Sequence, residues 1–186
     1  MSTTDHQESP SKVSPVLSTL TTNQLDKLRH EARRHGNYTS YYTFRSQNVP
    51  DPRLSQLQPF VQGRRTLDLG CNAGKLTLEL ATHFAATEVV GVDLDAGLIA
   101  SAREAKAAAL SRGAGRVTNV TFEEFDFANT WPFPGSAEGQ WDVVMLLSVV
   151  KWVHLNNSDE VLVQLFRRLF EIVVPGGLLV LEPQKQ

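Results

Sequence analysis

The sequence predicts an α/β protein in which a mostly parallel sheet is covered by helices on both faces. Strands are predicted at 65–70, 88–95, 119–127, 141–149 and 176–183. Helices are predicted at 75–84, 96–111 and 159–173. Two observations carry the prediction. Most of the strands are continuous aliphatic runs, which is typical of strands buried on both faces, and strands alternate with helices, which indicates parallel pairing.

Local signals support the individual elements. The alanine-rich helix at 96–111 follows Asp95, a good N-cap, and ends before Gly113. The strand at 119–127 carries polar residues at alternate positions, which indicates a less buried place in the sheet. The helix at 159–173 is predicted from an apolar stripe formed by Leu162, Leu165, Phe166 and Leu169.

The chain divides into three regions. Residues 1–22 are rich in Ser, Thr and Pro and predict a disordered tail. Residues 23–64 are predicted to form a basic amphipathic helix, running from Asn23 to Gly36, and a tyrosine-rich lid. Residues 65–186 form the predicted α/β domain.

Composition limits the function. The 186 residues are 41% hydrophobic and carry a net charge of -2, which argues against binding nucleic acid or a membrane through bulk positive charge. Cys71 is the single cysteine, and the sequence opens without a charged and apolar leader. We therefore expect an intracellular protein. No stretch approaches the length of a membrane span, and we expect neither a membrane nor a metal partner.

A glycine-containing loop joins the first strand to its helix. In "LDLGCNAG", Asp68, Gly70 and Gly74 lie where a backbone can approach a ligand. Such turns are common, so the loop by itself is equally compatible with a simple tight turn. It differs from the Gly-x-Gly-x-x-Gly nucleotide fingerprint, and its spacing resembles motif I of class I methyltransferases.

Acidic residues end the next two strands. Asp93 is suited to binding a ribose diol, whereas Asp95 is better suited to capping the following helix. Asp126 could accept a hydrogen bond from an exocyclic amine, and Phe127 could pack on a base. Together with the loop these residues outline an adenosine site, although each one singly could be structural.

The fourth strand is followed by Lys151, Trp152 and His154. In the class I methyltransferases that the loop resembles, residues after this strand lie beside the methyl group, so we expect Lys151 and His154 to border the methyl acceptor. An acceptor that is already anionic, such as a phosphate oxygen, needs alignment and charge neutralisation more than a base. The structural alternative is that Lys151 extends to solvent and Trp152 fills the core. Tyr38, Tyr41, Tyr42 and Arg45 favour a nucleotide end, because aromatic rings stack on bases and arginine binds phosphate. The alternative is a packed lid.

Five segments together resemble the methylphosphate capping enzymes, also called bicoid-interacting-protein methyltransferases. The segments are "HGNYTSYYTFR", "LDLGCNAGKLTLEL", "VVGVDLD", "KWVHLN" and "PGGLLVLEPQ". The resemblance implies a Rossmann-like class I methyltransferase that uses S-adenosyl-L-methionine to methylate the γ-phosphate at the 5′ end of a small noncoding RNA. It further implies RNA–protein assembly partners and a nuclear location.

The resemblance also implies roles for individual residues. Tyr41 and Arg53 would contact the methionine portion of the cofactor, and Gly70, Cys71 and Asn72 would line its pocket. Asp93 and Leu94 would hold the ribose, Asp126 and Phe127 the adenine, and Leu147 would form the floor. Lys151 and His154, as catalytic residues, and Arg45 would face the RNA phosphates, with Tyr42 or Trp152 shaping that channel.

The sequence ends directly after the fifth predicted strand. Class I methyltransferases add a further helix and antiparallel strands there, so we expect an incomplete methyltransferase domain with an apolar sheet edge. Two alternatives to the RNA methyltransferase stay open: a catalytically weak or inactive RNA-binding or assembly protein with the same fold, and a small-molecule methyltransferase.

Overall fold

A computed structural model describes residue 21 and residues 35–37, 50–132 and 140–183. They contain a five-stranded sheet in the order β3-β2-β1-β4-β5. The strands are β1 (Arg65–Leu69), β2 (Glu88–Asp93), β3 (Val120–Glu124), β4 (Trp141–Leu147) and β5 (Val173–Glu182). Every pairing between these strands is parallel, which confirms the predicted α/β class.

Six α-helices lie in the described residues. They are α1 (Pro52–Ser55), α2 (Gln58–Val61), α3 (Lys75–Thr82), α4 (Ala96–Ser111), α5 (Val150–Asn156) and α6 (Asp159–Ile172), with a 3-10 helix at Gly115–Asn119 before β3. Asp95 caps α4 as expected, because its Oδ1 accepts hydrogen bonds from the N–H groups of Gly97 and Leu98 at 2.8 and 3.0 Å.

The helices cover both faces of the sheet with two apolar clusters. On one face, residues of α1 to α4 such as Leu54, Leu80 and Ile99 pack against β-strand side chains. On the other face, Leu165 and Leu169 of α6 are fully buried, and burying one such side chain stabilises the fold by roughly 1.5–3 kcal/mol. The strands therefore contribute to both clusters, as their continuous aliphatic character predicts.

Several boundaries differ from the prediction. β2 ends at Asp93 instead of residue 95, and β3 ends at Glu124 instead of residue 127. The strand predicted at 141–149 ends at Leu147, and the residues after it form α5. The last strand begins at Val173 instead of residue 176. It runs through Gly176, whose φ is +80°, with a register irregularity opposite Trp141 and Val143, so a sequence that indicates a turn is accommodated inside the strand.

Several predictions fall on residues that the structure does not describe. They are the tail at 1–22 apart from residue 21, nearly all of the helix at 23–36, and Tyr38, Tyr41, Tyr42 and Arg45. Over the described ranges, none of the helices combines the length and the apolar character that crossing a membrane requires. Those same ranges contain no cluster of three or more His, Cys, Asp or Glu side chains arranged to hold a metal ion.

Candidate active site

A cavity of about 570 Å3 opens at the carboxyl ends of the strands. The strand order reverses here, since β2 lies on one side of β1 and β4 on the other, and such switch points are where parallel α/β sheets bind ligands. Ten of the residues predicted for the site line the cavity: Arg53, Gly70, Cys71, Asn72, Asp93, Leu94, Asp126, Phe127, Leu147 and Trp152. Topology therefore brings together positions spread over a hundred residues of sequence.

The turn after β1 needs glycine at its first position. Gly70 has a φ of +82°, and a Cβ there would lie 2.6 Å from Val149 Cγ2. The N–H groups of Gly70 and Cys71 both donate to the carbonyl oxygen of Val92, at 2.8 and 2.9 Å. The turn is thus fixed to β2, and its backbone forms one wall of the cavity.

Cys71 contributes an apolar surface to that wall. Its side chain is buried, and burial raises the pKa of the thiol well above its usual value. A protonated, buried thiol is a poor nucleophile. Cys71 therefore shapes the cavity and has no reactive thiolate to offer.

Asp93 is held at the end of β2 by backbone donors. Asn72, which has a φ of +53°, donates its N–H to Asp93 Oδ2 at 2.8 Å, and the N–H of Asp95 donates to Oδ1 at 3.0 Å. Burial raises the pKa of the Asp93 carboxyl, and these donors partly oppose the shift. A carboxylate oxygen can accept more than one hydrogen bond, so Asp93 retains the capacity to accept from a pair of hydroxyls.

Asp126 and Phe127 form the opposite end of the cavity. Asp126 Oδ1 accepts from the N–H groups of Ala128 and Asn129, both at 3.1 Å, so the carboxylate also stabilises its own turn. Phe127 is buried beside it. The pair combines an oriented acceptor with an aromatic ring, which is what recognition of an amino-substituted base requires.

Arg53 extends from α1 to the cavity wall. Its guanidinium pairs with Asp51 through two hydrogen bonds of 3.0 and 3.1 Å and with Glu182 through one of 3.0 Å. Burial lowers the pKa of Arg53, but the bonds to the two carboxylates outweigh it and raise the pKa above its usual value. Arg53 is therefore a permanent cation in a fixed orientation.

Helix α5 separates the residues predicted to face the acceptor. Trp152 lines the cavity together with Val153, Asn156 and Asn157, whereas Lys151 and His154 do not. Residues three and four apart share a helix face, so the helix turns Lys151 and His154 away from the face that lines the cavity. The strand ends at Leu147, so both residues lie on the helix that follows it.

Lys151 lies beside a residue of the cavity wall, and His154 is paired with the first residue of α6. Lys151 Nζ lies 5.9 Å from the centre of the Trp152 ring. His154 Nε2 lies 2.8 Å from Asp159 Oδ1, in an exposed pair. Their catalytic roles stay predictions.

The segment at 35–37 contributes to the cavity in a way that sequence reasoning missed. Gly36 was interpreted as the end of a helix. In the structure it has a φ of +76° and lies against Trp152, where a Cβ would overlap the indole ring. Asn37 Nδ2 donates to Asp95 Oδ2 at 2.5 Å. The sequence "HGN" does not indicate these contacts, because they are long-range and leave no local pattern.

The charged side chains among the described lining residues are predominantly acidic. Four aspartates take part: Asp68, Asp93, Asp95 and Asp126. Among the described lining residues Arg53 is the permanent cation, and its guanidinium already forms ion pairs with Asp51 and Glu182. A cavity of this size with an excess of negative charge fits a nucleoside that carries positive charge better than a dinucleotide with its anionic pyrophosphate.

Comparison with known proteins gives the same fold. Residues 141–186 match the family model described as Bicoid-interacting protein 3. A solved structure of an S-adenosylmethionine dependent methyltransferase from Mesorhizobium loti aligns with a TM-score of 0.55 at 26% identity, covering 73% of this chain and 53% of that one. The sheet therefore has the fold of S-adenosylmethionine-dependent methyltransferases.

Two curated relatives are RNA capping enzymes. The 7SK snRNA methylphosphate capping enzyme of Homo sapiens is 35% identical over 81% of this chain and 30% of its own length. The U6 snRNA methylphosphate capping enzyme Amus of Drosophila melanogaster is 37% identical over 81% of this chain and 53% of its own length. The chain thus spans 30% and 53% of these two relatives.

Proposed function

Because the chain belongs to the Bicoid-interacting protein 3 family of methyltransferases, we propose that it transfers a methyl group to the 5′-terminal γ-phosphate of a small noncoding RNA. The observation that carries this proposal is the acidic cavity at the switch point of the sheet, with Gly70, Asp93 and Asp126 at its wall. The capping enzymes among the relatives supply the substrate class. RNA–protein assembly partners and a nuclear location belong to the same proposal.

S-adenosylmethionine is the proposed cofactor, and it supplies a methyl group on a positively charged sulfur. Asp93 and Leu94 would hold the ribose, and Asp126 and Phe127 the adenine. The turn formed by Gly70, Cys71 and Asn72, with Leu147 as the floor, would border the methionine portion. Tyr41 and Arg53 complete the proposed set, with Arg53 as the partner of the carboxylate.

The charge of the cavity supports this cofactor. The four aspartates of the cavity would stabilise a sulfonium through Coulomb attraction, and they would offer less to the neutral thioether that remains after transfer. The cavity would therefore favour the methyl donor over the product. Since the effect depends on charge, it should weaken as buried carboxylates are protonated.

A phosphate oxygen is a methyl acceptor that suits the chemistry of Lys151 and His154. It is anionic at neutral pH, so methyl transfer requires orientation and neutralisation of charge without removal of a proton. Lys151 would supply positive charge beside Trp152, and His154, as an imidazolium, would donate from Nδ1 while its Nε2–H donates to Asp159. Tyr42, Arg45 and Trp152 would shape the channel for the RNA end.

The test is methyl transfer to a hairpin RNA with a 5′-triphosphate, compared with the same RNA after dephosphorylation. We expect labelling of the triphosphate form alone. Equal labelling of both RNAs would refute the phosphate as acceptor. Labelling of a small-molecule extract that excess RNA does not inhibit would favour the small-molecule methyltransferase.

A binding or assembly protein without turnover is the second candidate, and Asp93 distinguishes it. Asp93→Ala removes the proposed ribose ligand, so it should abolish methyl transfer and leave RNA binding in place. An RNA-dependent function that persists unchanged in this variant, with no methyl transfer by the wild-type chain, would favour the non-catalytic role.

A further inference from the structure

Arg53 is held from two sides at the cavity wall. Asp51, at 2% exposure, accepts from Arg53 Nε and Nη2, and Glu182 Oε2 accepts from Nη1 at 3.0 Å. Arg53 and Glu182 are 129 positions apart in the sequence. The ion pair therefore ties the segment before β1 to the end of the last strand, directly beside the cavity.

Glu182 is itself fixed by the sheet. It pairs in register with Leu147 at the end of β4. The hydroxyl of Ser148 donates to Glu182 Oε2 at 2.7 Å, and the N–H of Ser148 donates to the Glu182 carbonyl at 3.0 Å. One carboxylate oxygen thus accepts from both Ser148 and Arg53, which leaves the Glu182 side chain little rotational freedom.

Asp51 is fixed by a different set of contacts. Its N–H donates to Glu79 Oε2 at 2.6 Å, and its Oδ1 also accepts from the N–H of Arg53. Arg53 therefore lies between two carboxylates that are anchored on opposite sides, one through α3 and the other through β4 and β5. Such a clamp restricts the guanidinium to a single orientation.

The clamp leaves donors for a ligand. A guanidinium has five N–H donors, and three of them bind Asp51 and Glu182 among the described residues. Two formal negative charges surround one positive charge, so an anion gains little from the net field at this point. Its gain must come from the direction of the remaining N–H groups.

We propose that Glu182 is a positioning residue for the cofactor: with Asp51 it orients Arg53 so that the remaining N–H donors meet the methionine carboxylate. This inference rests on the proposed placement of the methionine portion at Arg53. Glu182 itself touches neither the cofactor nor the RNA. It acts through Arg53.

The proposal and simple electrostatics predict opposite changes in the affinity for a carboxylate ligand when the charge of Glu182 is removed. Removing the negative charge of Glu182 would strengthen binding of a carboxylate if the net field dominated, because two like charges would no longer repel. It weakens binding if orientation dominates, since Arg53 is then held from one side only. The change in affinity therefore decides between the two effects.

The experiment compares two ligands that differ in the amino acid. S-adenosylhomocysteine and 5′-methylthioadenosine share the adenosine and a neutral sulfur, but only the first carries the carboxylate. Calorimetric titration of the full chain should show S-adenosylhomocysteine binding about tenfold more weakly to Glu182→Ala. Binding of 5′-methylthioadenosine should stay within about twofold of the wild type. Glu182→Gln, which keeps an acceptor, should give an intermediate loss.

Glu171→Ala is the matched control, because Glu171 is an exposed glutamate on α6 that does not line the cavity. It should change neither affinity. Unchanged or tighter binding of S-adenosylhomocysteine to the Glu182 variants would overturn the proposal, and so would an equal loss for both ligands. If thermal unfolding shows that Glu182→Ala does not fold, Glu182→Gln decides by the same criteria.

The titration uses no RNA. Failure of the inference about Glu182 and failure of the proposed RNA capping are therefore distinguishable. A loss of affinity for S-adenosylhomocysteine alone in the Glu182 variants would support the inference even if no RNA is methylated.

Discussion

Thr77 donates a hydrogen bond from Oγ1 to Asp68 Oδ2 over 2.7 Å, and both side chains are buried at the carboxyl end of β1. Burial raises the pKa of the Asp68 carboxyl to about 6, although the bond from Thr77 lowers it. An unfolded aspartate has a pKa of about 3.9. The native state therefore binds this proton more tightly than the unfolded chain does.

The stability of the protein should depend on pH through Asp68. Its contribution is fully present below about pH 4 and is lost as pH rises to about 6, with a size on the order of 3 kcal/mol. Asp68→Asn cannot ionise and should flatten this decline. The measurement is the free energy of unfolding in urea across that pH range. Burial also raises the pKa of Asp93, so both proteins should keep a smaller decline of stability with pH.

Thr77→Val provides the control for this prediction. It keeps the shape of the side chain but removes the donor that lowers the pKa of Asp68, so the decline should extend to higher pH. Identical slopes for the wild type and Asp68→Asn would contradict the assignment of the pH dependence to this carboxyl.

Elements with strong local signals could be predicted from the sequence. Helix α4 was placed with its correct bounds, since Asp95 caps it and an alanine-rich run follows. Strands β1, β2 and β4 were found because continuous aliphatic runs indicate burial on both faces. Helix α5 lacks such a signal: it has seven residues, its N-cap Val149 makes no side-chain cap, and its first residue, Val150, is β-branched.

The same distinction between local and long-range signals applies to the residues of the candidate site. Gly70, Asp93 and Asp126 could be predicted because each lies within two residues of the end of a strand, and parallel strands bring their carboxyl ends to one edge. The pairing of Arg53 with Glu182 could not, because it joins positions 129 residues apart without any periodicity. Contacts of that kind are decided by the packed sheet and leave no local pattern.

Asp93 should be necessary for cofactor binding. Asp93→Asn keeps the size of the side chain but exchanges a charged acceptor for a neutral amide, and hydrogen bonds to charged groups contribute about 1.5–3 kcal/mol. We expect the dissociation constant for S-adenosylhomocysteine, measured by calorimetry, to rise at least about tenfold. Glu124→Gln is the matched control, because Glu124 is exposed, pairs with Asp93 in the sheet and does not line the cavity. Equal effects of the two substitutions would argue against a ribose role.

Gly36 should be required for the placement of Trp152. Gly36→Ala adds a Cβ that overlaps the indole and also forces a φ of +76° on alanine. We expect a loss of stability of about 1–3 kcal/mol in thermal unfolding. Gly113→Ala is the matched control, since Gly113 has a φ of +86° but nothing within 4 Å of the new Cβ. It reports the backbone strain alone.

The double variant Gly36→Ala with Trp152→Ala isolates the contact. Removing the indole removes the overlap. The losses of stability of the two single variants should therefore sum to more than the loss of stability of the double variant. Strict additivity would mean that Gly36 and Trp152 do not interact in solution.

Lys151 should act on the RNA and not on the cofactor. It lies outside the cavity, near the ring of Trp152, so Lys151→Ala should lower kcat/KM for a triphosphate-ended RNA about tenfold and leave the affinity for S-adenosylhomocysteine unchanged. The loss should shrink as salt is raised, because screening weakens the same attraction in the wild type. Arg112→Ala, which removes an exposed cation at the end of α4, should change neither quantity. An equal loss in both variants would indicate a diffuse effect of net charge, whereas weaker cofactor binding in Lys151→Ala alone would place the lysine in the cofactor site.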